Sequence, residues 1–208
     1  MKKGKILQRI FYLLPMITVG YGFYIANNIW VAMFGYHGFA ILILASMKQG
    51  YQLRRFFSGG NYGKMLFWSF PALLSGGILF SLGLHLNISE SIRVSLTQMG
   101  LSGSGWLLFI VYYSLVNPVI EEVYWRGFLG SEKNGITWSD IGYGGYHPLV
   151  FLKFLALPWA ILEFIFLTMM GWFWRRMVKK HDGLLIPSAM HLSADLSIAV
   201  AIWLLVKV

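Results

Sequence analysis

Three pairs of polar side chains stand four residues apart in this sequence: Glu122 with Arg126, directly after Glu121; Tyr143 with His147; and His191 with Asp195. Residues at i and i+4 share one face of a helix, so each pair would project to a single side. Carboxylates beside imidazoles are the groups of general acid and base chemistry near neutral pH. The chain contains no cysteine, which excludes disulfides, zinc-thiolate sites and thiol catalysis. No serine sits in a recognisable nucleophile elbow, which leaves an activated water as the natural nucleophile.

Helical phase assigns the two adjacent glutamates different work. At about 100° per residue, Glu122 falls on the face of Arg126, whereas Glu121 points away from it. Glu122 is therefore expected to neutralise Arg126 and hold the helix, leaving Glu121 free to face a cavity as a general base. The bland alternative for this pair is an interfacial helix end with ordinary salt bridges. In the last pair, Asp195 stands one turn from His191 and can orient its ring. A zinc site is open on residue types alone, with His147, His191 and Glu121 or Asp195 as ligands, although the H-E-x-x-H arrangement is absent. A transporter could use Glu121, His147, His191 and Asp195 as a proton or cation relay, but inverted halves do not show in the sequence. The remaining alternative is a noncatalytic membrane scaffold or immunity factor.

These groups need elements to position them, and the composition says where those elements lie. Of the 208 residues 57% are hydrophobic and only 12% charged, which rules out an ordinary soluble domain. The expected fold class is an all-α, polytopic membrane helix bundle of six to eight transmembrane helices, one integral membrane domain over residues 1–208. Spans are expected at about Ile10–Ala26, Ile29–Met47, Met65–Leu86, from Leu101 through the two glutamates, and at Leu184–Val206. The apolar stretch after His147 is expected to form two spans meeting near Pro158, which gives seven crossings.

The net charge of +9 is gathered at span ends: Lys2, Lys3, Lys5 and Arg9; Lys48, Arg54, Arg55 and Lys64; Arg175, Arg176, Lys179 and Lys180. That pattern places those ends, including the N-terminus, in the cytoplasm, and the absence of a basic stripe on a soluble module argues for no nucleic-acid partner. An ionisable group inside a membrane span costs about 2.5–3.5 kcal/mol on insertion scales, so each one calls for a reason. Glu90, Glu132, Asp140 and Asp182 read as loop residues, and His37, His85 and His181 as interfacial or loop residues. Glu163 and Lys153 are each expected to pair locally, without an assigned role, the glycines of Gly100–Gly105 to serve close helix packing, and the sequon at Asn87 to be fortuitous.

The three pairs resemble the motifs of the CPBP family of intramembrane proteases, the CAAX-processing and bacteriocin-processing endopeptidases. Glu121-Glu-Val-Tyr-Trp-Arg126 matches the E-E-x-x-x-R signature, Tyr143-Gly-Gly-Tyr-His147 is similar to F-x-x-x-H with Tyr for Phe, and His191-Leu-Ser-Ala-Asp195 is similar to the third motif. The resemblance covers about Leu101–Ala201. It implies an intramembrane endopeptidase in which Glu121 and His147 activate water while His191, with Asp195, stabilises the oxyanion; Glu122, Arg126 and Tyr143 support the site. Many relatives carry Asn at the position of Asp195, and an ionised carboxylate there would repel an oxyanion. Asp195 is therefore expected to be neutral, to orient His191 or to bind a metal. The resemblance further implies a peptide or lipidated-protein substrate, contact with membrane lipids, a prokaryotic cell membrane and no cofactor, with zinc as the alternative. Glu121, His147 and His191 are expected to line one polar cavity open to the basic face.

Overall fold

A computed structural model describes residues 2–47, 58, 60–86 and 89–207. The readings placed on Lys48, Arg54, Arg55 and Asn87 lie outside the described residues. The regular elements among the described residues are all helical, with α1 (Lys2–Gly20) passing into a π-turn (Tyr21–Ile25), then α2 (Ile29–Ser46), α3 (Tyr62–Ala72), α4 (Leu74–His85) and α5 (Ser89–Gln98). Next come α6 (Gly105–Leu115), α7 (Asn117–Glu121), a π-helical segment (Glu122–Phe128), α8 (Trp138–Phe151), α9 (Leu157–His181) and α10 (Leu185–Leu205).

Five stretches among the described residues are long and apolar enough to cross a membrane: Ile29–Ser46, Tyr62–His85, Gly105–Phe128, Leu157–His181 and Leu185–Leu205. Ile10–Ile25 is apolar but shorter. Helix α8 has 14 residues, about 21 Å at the usual rise, and stays below a membrane's hydrocarbon thickness. It meets α9 across Leu152–Ala156, beside Pro158 in the first turn of α9.

The boundaries follow from local chemistry. Asn27 takes a left-handed φ of 45°, and the Asn28 side chain then caps α2 by accepting from Trp30 N and Val31 N. Thr137 opens α8 with a capping box, its N–H donating to Asp140 Oδ2 at 2.8 Å. Asp140 is thus not a loop residue: it lies buried in the first turn of α8. Gly100 (φ 94°) and Gly103 (φ 50°) make the turn into α6, so this glycine run serves a turn rather than helix packing.

The paired residues give the helix directions: α4 runs parallel to α10, with Gly76 against Ser197 and Gly83 against Leu205. Asn117 meets Asp195 and Glu122 meets His191, so the fourth span and α10 are antiparallel. Close backbone approach needs glycine at two crossings: a Cβ at Gly76 would strike Ser197 of α10, and one at Gly144 would strike Thr168 of α9. The Ser58 hydroxyl donates to Asp182 O at 3.2 Å, which sets Ser58 at the same end of the bundle as the α9–α10 turn.

Arg175 is not a free basic charge at that end. Only 5% exposed, it donates to both carboxylate oxygens of Asp140 and to the carbonyls of Ser131, Lys133 and Gly135, fastening the loop that follows the π-segment. A lysine has three donors on a flexible stem and cannot reproduce this fork. Arg175→Lys is expected to raise tryptic cleavage at Lys133 by about tenfold or more, since each lost charge-assisted bond is worth about 1.5–3 kcal/mol. An unchanged cleavage rate would contradict the assignment.

Candidate active site

The fourth span breaks twice where its sequence turns polar. Pro118 restarts the helix as α7, and from Glu122 onward the turns close one residue wider, as in Leu129 N–H to Tyr124 O at 2.9 Å. Such π-turns recur at functional sites because they re-aim side chains. Arg126 still falls next to Glu122, with NH1 to Oε1 at 3.1 Å, both side chains buried. The expectation that Glu121 points elsewhere fails, because the ideal α-helical phase it assumed does not hold here. Both glutamates reach the same imidazole: Glu122 Oε1 lies 3.0 Å from His191 Nδ1, and Glu121 Oε2 lies 3.5 Å from His191 Nε2.

Around this contact the three sequence pairs converge. Asp195 Oδ1 is 3.5 Å from His191 Nε2, so both ring nitrogens face carboxylate oxygens. Trp174 of α9 stacks on the His191 ring at 4.5 Å between centroids. The guanidinium carbon of Arg126 lies 3.9 Å from the centre of the Tyr143 ring and 5.0 Å from that of Trp174, which gives the buried cation aromatic faces on which to rest.

His147 stands at the edge of this cluster. Its Nδ1 lies 2.8 Å from Tyr143 O, and because a carbonyl only accepts, Nδ1 carries the proton and Nε2 of the neutral ring keeps its lone pair. Tyr146 bridges His147 to the cluster, its ring stacked on the imidazole at 4.0 Å and its hydroxyl donating to Glu121 Oε1. Glu121 Oε2 and Glu122 Oε2 accept no hydrogen bond from the described protein.

Glu121 and Glu122 have no exposed surface, and the rings of Tyr143, Tyr146 and Trp174 pack the space in which an open cavity was expected. A groove of about 290 Å³ at the Arg175 end reaches Arg126, Gly127 and Ser131, but neither Glu121 nor His147 lines it. Among the described residues, no three His, Asp or Glu side chains are grouped to hold a metal ion. His147 Nδ1 is taken by a backbone carbonyl while its Nε2 stays unengaged, and His191 Nε2 faces one oxygen each of Glu121 and Asp195.

Sequence reasoning missed part of the site. His37 is not interfacial: it is 1% exposed on α2 and bonds to Asn117 and Tyr112. Tyr146 and Trp174 were overlooked as well, although Tyr146 sits beside His147 within the second motif. Glu163 is buried on α9 with neither oxygen hydrogen-bonded among the described residues, and Lys153 lies over the Tyr24 ring.

Fold and site together define a multi-pass helical membrane protein with a buried carboxylate–histidine centre. Residues 103–197, which hold all three pairs, match the family model described as type II CAAX prenyl endopeptidase Rce1-like. That segment is therefore similar to a family of CAAX prenyl endopeptidases. No curated protein and no solved structure gives a significant match to the chain.

Proposed function

We propose that the protein is an intramembrane endopeptidase that cleaves prenylated peptides or lipidated proteins, using a water activated by Glu121 and His147 without a metal ion. The observation that carries this reading is Glu121 itself. It is fully buried, with one carboxylate oxygen held by the Tyr146 hydroxyl and the other turned toward His191 Nε2 without a hydrogen bond from the described protein. A carboxylate fixed on one side and unengaged on the other is suited to take a proton from a water.

In this reading the lone pair on His147 Nε2 assists proton removal. His191 Nε2 donates to the oxygen that becomes negative as the peptide carbonyl turns tetrahedral, and its ring is held by Glu122 at the opposite nitrogen. Asp195, which accepts from Asn117 and faces His191 Nε2, orients the ring instead of donating to the oxyanion. The buried, largely apolar surroundings suit a substrate whose lipid chain stays in the bilayer.

The test is to reconstitute the purified protein in lipid vesicles with a peptide library in prenylated and unprenylated forms, and to analyse the products by mass spectrometry. Internal cleavage confined to, or much faster on, the prenylated set is expected. Cleavage of neither set would overturn the assignment.

A further inference from the structure

Helix α2 lies outside the matched segment and carries none of the three pairs, yet its Tyr36 packs on Tyr146 and its His37 joins the hydrogen bonds behind Asp195. His37 Nε2 is 2.9 Å from Asn117 Oδ1, and its Nδ1 is 2.9 Å from the Tyr112 hydroxyl. Asn117 in turn donates from Nδ2 to Asp195 Oδ2 at 2.9 Å, and Asp195 Oδ1 faces His191 Nε2. We propose that His37 is a positioning residue of the active site, fixing Asp195, and through it the His191 ring, by way of Asn117. The proposal rests on the functional reading above only in what the positioned ring does.

The chain of bonds has one sense, and residue chemistry sets it. Asp195 accepts, so Asn117 turns its NH₂ toward it and presents its carbonyl to His37. A carbonyl also accepts, so His37 carries its proton on Nε2. Nδ1 is then left with a lone pair, which the Tyr112 hydroxyl satisfies. Removing the imidazole would leave the buried Asn117 carbonyl without its donor and free the amide to rotate away from Asp195.

The same chain can run backwards. If residue 195 were an amide, its NH₂ could donate to the Asn117 carbonyl while its own carbonyl accepts from His191. The Asn117 NH₂ would then face His37, whose proton must move to Nδ1 and donate to the Tyr112 oxygen. A hydroxyl can end the chain in either sense, so Asp195→Asn is accommodated by inverting every bond. His37 is the member whose tautomer reports which sense is present.

The test uses the full-length protein in lipid nanodiscs, assayed on a cleaved prenylated peptide and by nitrogen-15 correlation spectra of its labelled histidines. His37→Leu is expected to lower kcat by about 10- to 100-fold, the penalty of misplacing a catalytic group, with KM within about twofold of native. His37→Gln should restore most of kcat, because its amide N–H can replace Nε2–H. The His37 signals should show a proton on Nε2 in the native protein and on Nδ1 in Asp195→Asn. Native kcat in His37→Leu, or the same His37 tautomer in native and Asp195→Asn proteins, would overturn the proposal. Glu121→Gln separates the two readings: undiminished turnover in that variant, or no turnover in the native protein, defeats the hydrolytic reading, while the tautomer comparison still decides the role of His37.

Discussion

Glu121→Gln is expected to lower kcat by about 10²- to 10⁴-fold, the range over which a positioned general base contributes, with no loss of thermal stability. The substitution is nearly isosteric and keeps an oxygen for the Tyr146 hydroxyl, but an amide cannot take a proton from water. Stability should hold, because removing one of three carboxyl groups gathered around a single imidazole relieves repulsion in a buried setting. Steady-state kinetics beside a thermal unfolding curve of the detergent-solubilised variant measures both quantities. A parallel fall in activity and melting temperature would make Glu121 a structural residue.

Arg126→Met should show the opposite profile, with stability lost by about 3–5 kcal/mol, the usual penalty for stranding one member of a buried ion pair. Among the described residues Glu122 would keep only His191 as a polar partner, and the aromatic faces of Tyr143 and Trp174 would lose their cation. Arg126→Lys should lie between native and Met, since it retains charge but not the flat guanidinium that packs on the rings. Glu122→Gln should resemble Arg126→Met, because the cation would then be the stranded partner. Unfolding midpoints of the four proteins in one detergent test this ordering, and a native-like midpoint for Arg126→Met would remove the ion pair from the account of the fold.

Much of this arrangement is legible in the sequence. The bundle shows in long apolar runs because the bilayer tolerates few charges, and those it tolerates need a partner or a function. The spacing of Glu122 with Arg126, and of His191 with Asp195, survives in the structure as direct contacts because each pair lies on one local helix. The relation between Glu121 and Glu122 does not survive: the π-turn is a choice of hydrogen-bond register, which residue types do not display.

Long-range pairings are hidden for a related reason. His37 looks like a lone polar residue in an apolar span, and its partners Tyr112 and Asn117 lie 75 and 80 positions away. Asp140 and Arg175 read separately as a loop acid and an interfacial base, and only the antiparallel packing of α8 on α9 joins them. Tyr146 had a visible signal, because it stands inside the second pair beside His147, but its role depends on reaching across to Glu121. Segments and local pairs thus follow from sequence spacing, whereas the polar network that ties α2 to the carboxylate–histidine cluster follows from tertiary packing.

The central claim, hydrolysis by Glu121 and His147 without a metal ion, is tested most directly by turnover of the native protein after exhaustive chelation. Metal content is determined on the same sample before and after treatment. The account predicts undiminished cleavage of the prenylated peptide and no stoichiometric zinc at either stage. Stoichiometric zinc that leaves together with the activity, and restores it when added back, would contradict the account.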